Sequence, residues 1–177
     1  MAQLTHKIWM ARALAEARLA VDHGDVPVGA VVVAGGEVIA AAHNRREVDQ
    51  DPTAHAEMLA VRTAAAVLGS WRLDGCALYV TLEPCTMCAG ALVLARLPEL
   101  VYGAADPKAG AAGSLYDLVR EPRLNHRMDV VAGVAADECG EILATFFRAA
   151  RARSRAEGPR WRSQQAATLP DRPGGVA

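Results

Sequence analysis

The chain has 177 residues, of which 52% are apolar and 22% charged, with 19 lysines and arginines against 20 acidic residues. This composition is typical of a folded globular domain and excludes both an intrinsically disordered chain and a simple polycation. Four cysteines are too few for a disulfide scaffold. There is no apolar run of the roughly 18 residues that a membrane helix needs, and no signal peptide, so we expect a cytoplasmic protein with no membrane partner.

The first third of the chain predicts a helix followed by a β-hairpin. Apolar residues recur at helical spacing over 4–22. Two β-branched runs, 28–33 and 37–42, flank Gly35 and Gly36. A Gly-Gly pair between two such runs is a hairpin signal, because the favoured two-residue turn needs positive φ at both positions.

The remainder alternates between helical and strand patterns, which favours an α/β sandwich around one sheet. The predicted elements are a loop over 44–52, a helix over 52–68 with Asp51 as its N-cap, a strand over 76–82, a helix over 84–96, a strand over 100–104, a loop over 106–113, a short helix over 114–120, a strand over 130–134 and a helix over 137–153. Beyond about residue 155 this periodicity is lost. We therefore expect one folded domain over 1–155 and a disordered basic tail, containing Pro and Gly, over 156–177.

Two short segments, each opening a predicted helix, carry residues suited to metal chemistry. His55 lies in the first, and Cys85 and Cys88 lie three residues apart in the second. One imidazole and two thiolates provide three ligands for a tetrahedral Zn²⁺ ion, and a fourth position open to water is typical of a catalytic zinc site. The positive end of a helix dipole favours thiolates in a first turn.

Glu57 follows His55 by two residues, near enough to touch a water on the metal and act as a general acid and base. The pattern H-x-E…P-C-x-x-C, completed by Pro84, is the signature of zinc nucleobase deaminases. A structural zinc knuckle or a chance cysteine pair is the alternative, and the accompanying Glu57 and Pro84 disfavour it. Cys76 and Cys139 are interpreted as buried, inert thiols.

The sequence resembles the bacterial tRNA-specific adenosine deaminases (the TadA family) of the cytidine and deoxycytidylate deaminase superfamily. The likeness runs from about Trp9 to Arg148. It rests on residues 26–30, 51–57, 79–91, 110–115, 124–127, 136–139 and 146–148. The zinc and proton-transfer motifs are shared by the whole superfamily, whereas 110–115 and 125–127 point more narrowly to the tRNA enzymes.

This resemblance implies zinc-dependent hydrolysis of adenosine to inosine at wobble position 34 of tRNA-Arg. His55, Cys85 and Cys88 would hold one Zn²⁺ per subunit, and Glu57 would shuttle a proton from the zinc-bound water to adenine N1 and the leaving ammonia. It also implies a homodimer and a cytidine-deaminase-like three-layer α/β/α sandwich with a central five-stranded mixed sheet. The implied substrate-binding residues are Asn44 at the nucleoside, Val28 in the base pocket, Asp106 and Lys108 at the anticodon backbone, Pro84 and Arg148.

Basic charge is concentrated near the C-terminus, where residues 148–162 contain six arginines and one glutamate. Such a run suits the phosphates of an anticodon loop, although a solvated helix face is the alternative. Phe146 and Phe147 suit either stacking on a base or core packing. His126 suits an RNA contact or a local hydrogen bond, and Glu83 a structural or a catalytic role.

Two other functions remain open from the sequence. The first is a free-base or nucleoside deaminase of the same superfamily acting on guanine or cytosine. The second is a non-catalytic, zinc-stabilised RNA-binding subunit. Glu57 disfavours the second, because a structural zinc site has no use for an unliganded carboxylate.

Overall fold

The computed structural model describes residues 2–157, and the predicted tail over 156–177 therefore lies almost wholly outside the described residues. The elements in this part of the chain are α1 (Ala2–Asp22), β1 (Gly29–Ala34), β2 (Glu37–His43), α2 (Arg46–Asp49), α3 (Ala56–Leu68), β3 (Cys76–Leu82), α4 (Thr86–Leu94), β4 (Glu99–Ala104), β5 (Asp129–Val131) and α5 (Ala136–Glu157). The first compact unit comprises residues 1–143. A second begins at Ala144, and its described part is the second half of α5. Within the described residues, no helix is both long and apolar enough to cross a bilayer.

The five strands form one sheet in the order β2-β1-β3-β4-β5. Strand β1 pairs antiparallel with both β2 and β3, whereas β3, β4 and β5 run parallel. The predicted mixed five-stranded sheet is confirmed. The carboxyl ends of β3 and β4 meet at one edge, which is where ligand-binding loops collect in sheets with parallel strands.

Alternate residues of β1 face opposite sides of this sheet, as the two-residue period of a strand requires. On one side Val31 packs in a core with Met10 of α1. On the other side Val32 packs with Ala60 of α3 and Leu92 of α4. Helices therefore cover both faces, and the three-layer α/β/α sandwich is confirmed.

The hairpin between β1 and β2 turns at the two glycines that predicted it. Gly35 has φ 59° and Gly36 has φ 83°, and Ala34 pairs directly with Glu37. Positive φ at both central positions is the requirement of a type I′ turn, which non-glycine residues meet only at a cost.

The helix predicted to start at residue 52 begins instead at Ala56. Asp51 is not its N-cap, because Asp51 Oδ1 accepts the backbone N–H of Thr53 at 2.7 Å and its hydroxyl at 2.7 Å. These bonds form an Asx turn, so the chain is in a turn at residues 51–53 and becomes helical only afterwards. The loop predicted over 44–52 contains the short helix α2, whose backbone N–H groups at Glu47 and Val48 are bound by the buried carboxylate of Asp25.

The prediction of a short helix over 114–120 is wrong, because the structure has turns and an isolated bridge there. Ala112 pairs with Asp117 in an isolated bridge, and the Ser114 N–H donates to Glu83 rather than to a helical carbonyl. Long-range hydrogen bonds of this kind override a weak local helical pattern.

Gly29 allows α1 to lie directly against β1. A Cβ at this position would lie 2.1 Å from Ala13 O and 2.4 Å from Ala17 N, both in the backbone of α1. We expect Gly29→Ala to lower the free energy of unfolding by about 3 kcal/mol, as overpacking against backbone does. Gly140→Ala, on α5, is the matched control, since a Cβ at this position would meet nothing within 4 Å. This substitution should raise the free energy of unfolding by about 0.5–1 kcal/mol, because alanine has a higher helix propensity than glycine. Urea unfolding measures both, and equal stability of Gly29→Ala and the wild type would contradict this packing.

Candidate functional site

The candidate metal ligands lie where two helices begin. His55 is the N-cap of α3 and Cys85 the N-cap of α4, both with extended backbone, and neither side chain caps its own helix. Cys88 lies in the first turn of α4 and is buried. Helix α4 begins at Thr86, so Cys85 precedes the first turn in which the sequence predicted it. The positive ends of the two helix dipoles favour anionic ligands here.

Three ligand atoms converge at these helix starts. Cys85 Sγ lies 3.7 Å from Cys88 Sγ and 3.8 Å from His55 Nδ1, and Cys88 Sγ lies 3.5 Å from the same nitrogen. A tetrahedral site with Zn–S bonds of about 2.3 Å and Zn–N bonds of about 2.0 Å has S···S edges of about 3.8 Å and S···N edges of about 3.5 Å. The donor set therefore fits zinc in both chemistry and spacing, and within the described residues it is the one group of this kind.

The two thiols differ in acidity. Hydrogen bonding to Cys88 and then to His55 lowers the pKa of Cys85 to about 3. Hydrogen bonding to Cys85, together with burial, raises the pKa of Cys88. The pair therefore loses its first proton readily, whereas a second thiolate next to the first requires a cation beside it.

Glu57, in the first turn of α3, is only 4% exposed. Its pKa is raised, chiefly by burial. Within the described residues, its Oε2 is a buried atom without a hydrogen-bond partner. A buried, unpartnered carboxylate oxygen is costly to the fold. Beside His55 and Cys88, it is suited to exchanging a proton with a group that enters the site.

Asn44 and Val28 lie side by side next to the start of α3. Both are buried, and the Asn44 N–H donates to Val28 O at 3.0 Å. Asn44 Oδ1 accepts the Ala56 N–H at 2.9 Å, which uses the amide oxygen to hold the first residue of α3. This bond fixes the orientation of the side chain and leaves its Nδ2 as the donor available to a ligand.

Pro84, Asp106 and Lys108 belong to the edge where β3 and β4 end. Pro84 is buried, and its carbonyl accepts the Ala111 N–H at 2.8 Å. Asp106 Oδ1 accepts the Lys108 N–H at 2.9 Å and the Ala109 N–H at 3.2 Å, which forms a local turn. The side chain of Lys108 is exposed on this turn.

Glu83 is the functional residue whose role the sequence left undecided. It is 2% exposed, and donors from residues 106–114 bind both of its carboxylate oxygens. Burial alone would raise its pKa, but hydrogen bonds from Ser114, Asp106 and Ala112 hold the pKa below the usual value. An acid next to the Pro-Cys motif, followed by the Gly- and Ala-rich run over 109–113, is the signal that could have pointed to this contact.

The other residues that the sequence suggested as RNA contacts make local contacts in the structure. His126 Nε2 donates to Leu97 O at 2.6 Å, so of its two alternatives the local hydrogen bond is present. Arg148 lies on α5 in the second unit and donates to Thr145 Oγ1 at 2.9 Å. Phe146 and Phe147 are in edge-to-face contact with ring centroids 5.5 Å apart.

Comparison with known sequences decides the family. The profile of the MafB19-like deaminase family matches residues 4–151. A tRNA-specific adenosine deaminase from Bacillus subtilis is 52% identical over 150 residues, which covers 85% of this chain and 93% of the relative. The chain belongs to the tRNA-specific adenosine deaminase family. This confirms the resemblance drawn from the motifs, and the chain is an enzyme of the hydrolytic deaminase class.

Solved structures agree with this family assignment. A tRNA:A34 deaminase, studied for A-to-I editing at the wobble position of transfer RNA, matches with a TM-score of 0.74 and 50% identity over 76% of this chain and 98% of its own. The guanine deaminase of Nitrosomonas europaea matches with a TM-score of 0.66 and 28% identity over 79% of this chain and 83% of its own. The fold of the tRNA-specific adenosine deaminase family is thus shared with a guanine deaminase.

Proposed function

We propose that this enzyme hydrolyses adenosine to inosine at wobble position 34 of tRNA-Arg. The observation that carries the proposal is the buried Oε2 of Glu57, which has no hydrogen-bond partner in the described part of the chain, beside three atoms with zinc-ligand spacing. The similarity to a tRNA:A34 deaminase supports the wobble position. The family resemblance of the motifs supports tRNA-Arg.

His55, Cys85 and Cys88 are proposed to hold one Zn²⁺ ion per subunit. Their mutual distances, within 0.3 Å of a tetrahedral set, support this assignment. When bound, zinc supplies a Lewis acid that lowers the pKa of water towards about 7. Three protein ligands leave the fourth position of a tetrahedral ion open, as hydrolysis requires.

Glu57 is proposed to carry the proton. Its carboxylate takes one proton from the water that attacks C6 and delivers this proton to N1 of adenine. It then takes the remaining proton from the hydroxyl on C6 and gives it to the amino nitrogen, so that the C6–N bond breaks, the C6=O bond forms and ammonia leaves. The burial of Glu57 keeps bulk water away from this exchange, and Oε2 is available because no group among residues 2–157 forms a hydrogen bond with it. A non-catalytic zinc-stabilised subunit has no use for such a group, which disfavours that alternative.

The substrate residues are proposed in two groups and one separate residue. Val28, Asn44 and Pro84 would enclose the flipped nucleoside, since the first two lie together beside the start of α3 and Pro84 adjoins Cys85. Asp106 and Lys108 would meet the anticodon backbone from the turn after β4. The sixth residue, Arg148, would contact the RNA from α5.

Three further properties are proposed for the whole protein. We propose a catalytic domain over 1–155 followed by a basic tail, and a homodimer as in the family that the motifs resemble. A tRNA substrate places the proposed activity in the cytoplasm. Light scattering of the purified protein tests the dimer, and a monomeric mass would contradict it.

The proposed substrate is tested by parallel assays on the zinc-loaded enzyme. We expect inosine in the anticodon stem-loop of tRNA-Arg with adenosine at position 34, and no product from free adenosine, guanine or cytosine. A stem-loop with guanosine at position 34 is the matched control. Conversion of free guanine or cytosine without inosine in the RNA would overturn the proposal in favour of the free-base deaminase alternative.

A further inference from the structure

We propose that Glu83 is the positioning residue of this enzyme: its carboxylate holds residues 105–114 in the conformation that presents Asp106 and Lys108 to the RNA. The inference rests on the proposed function for the identity of the substrate. The interaction between Glu83 and this segment consists of hydrogen bonds within the first unit of the chain.

Among the residues that the structure describes, all the hydrogen-bond donors to this carboxylate come from one segment. Oε1 accepts the N–H of Ala112 at 3.0 Å and the N–H of Ser114 at 2.9 Å. Oε2 accepts the N–H of Asp106 at 3.0 Å and also the hydroxyl of Ser114. The segment is therefore bound at both of its ends by a single side chain.

Only a carboxylate can make this set of bonds. Four donors require four lone pairs on two oxygens, whereas a glutamine has one oxygen and turns its NH₂ group towards donors. No lysine or arginine within residues 4–156 forms an ion pair with Glu83. The buried charge of Glu83 is therefore balanced by backbone amides of the segment, as in other anion-binding concavities of the main chain.

Gly110 shows how closely the segment is fitted to Glu83. A Cβ on Gly110 would lie 2.4 Å from Glu83 Cδ and 2.6 Å from Asp106 O. A glycine at position 110 leaves room for the Glu83 carboxylate, which can then reach the amides of Ala112 and Ser114. Two separate residues of the sequence thus specify the same contact.

The segment is also joined to the candidate metal ligands. Gly110 forms an isolated bridge with Cys85, and Ala111 N–H donates to Pro84 O at 2.8 Å. Asp106 is itself the first anchored residue of the segment, and Lys108 lies between it and the anchors at Ala112 and Ser114. A change at Glu83 should therefore release these two side chains first, and KM for RNA should respond more than kcat.

The test compares the zinc-loaded wild type with Glu83→Gln by hydrogen-exchange mass spectrometry. We expect exchange at the amides of 105–114 to quicken by about tenfold or more, because one buried carboxylate oxygen becomes a donor group. Zinc content and exchange in the other strands should be unchanged. Asp25→Asn is the matched control, since Asp25 is another buried carboxylate that accepts two backbone N–H groups, at Glu47 and Val48. Asp25→Asn should quicken exchange at the amides of Glu47 and Val48 and leave the amides of 105–114 protected.

Kinetics on the stem-loop RNA complete the test. Glu83→Gln should raise KM about tenfold and change kcat less than about threefold, a split that simple loss of folded enzyme does not produce. Unchanged exchange over 105–114, equal loosening of the whole chain, or an unchanged KM would each overturn the proposal. Inactivity of the wild type on every tRNA would instead refute the proposed function, and the exchange result would still decide whether Glu83 holds the segment.

Ser114→Ala keeps the proposal testable if Glu83→Gln does not fold. This variant keeps the carboxylate and the backbone donors and removes only the hydroxyl donor. We expect faster exchange at Ala112 and Ser114 than in the wild type and a KM raised about threefold. Wild-type exchange and KM in Ser114→Ala would overturn the proposal.

Discussion

Glu57→Ala is expected to lose turnover by about 10²–10⁴-fold, the contribution of a positioned general acid and base. The fold and the zinc content should be retained, because Glu57 Oε2 makes no hydrogen bond within the described residues. Removing a buried carboxylate with one unpartnered oxygen should change the free energy of unfolding little. Steady-state deamination of the stem-loop, zinc analysis and urea unfolding provide the three measurements.

Asp25→Asn is the control for this variant. Asp25 is as deeply buried as Glu57, but both of its oxygens accept backbone N–H groups of α2. The control should cost about 1–3 kcal/mol of stability, whereas Glu57→Ala should cost little. Substantial activity in Glu57→Ala would remove Glu57 from the proposed mechanism, and a severe loss of stability would assign it a structural role.

Replacing any one of the three candidate ligands should empty the metal centre. We expect His55→Ala, Cys85→Ala and Cys88→Ala to lower bound zinc from about one ion per chain to below about 0.1, with activity falling to background, since two remaining ligands cannot hold the ion. Elemental analysis of protein purified without added metal gives the occupancy. Stripping the wild type with a chelator and restoring activity with Zn²⁺ provides the same information without a mutation.

The chain provides its own controls for the cysteines. Cys76 and Cys139 are buried, free thiols that lie outside the ligand group. Cys76→Ala and Cys139→Ala should lose some stability through packing and keep about one zinc per chain. Full zinc in Cys85→Ala, or loss of zinc in Cys139→Ala, would contradict the ligand assignment.

Short-range patterns predicted the three candidate ligands that the structure brings together. The C-x-x-C spacing places Cys85 and Cys88 three residues apart at a helix start, so the sulfurs meet without help from the rest of the chain. His55 and Glu57 are close to each other because only one residue separates them in the sequence. The Gly35-Gly36 turn was predictable because its positive φ angles are a local property of glycine.

Predictions were wrong where another hydrogen bond, local or long-range, competes with a helical pattern. Pro52 favours the first turn of a helix, yet the Asx turn between Asp51 and Thr53 delays α3 until Ala56. The pattern over 114–120 resembles a short helix, yet its first amide is bound by Glu83, 31 residues earlier in the chain.

The sequence by itself determined which atoms can hold a metal ion and carry a proton, because ligand chemistry belongs to residue types and their spacing. It also determined the alternation of layers, because hydrophobic periodicity records which side of each element is buried. Only the tertiary structure brought His55 within 3.5–3.8 Å of the two sulfurs and folded residues 105–114 onto Glu83. These contacts join residues 23–33 positions apart, and their formation depends on the strand order that makes β3 and β4 end at the same edge.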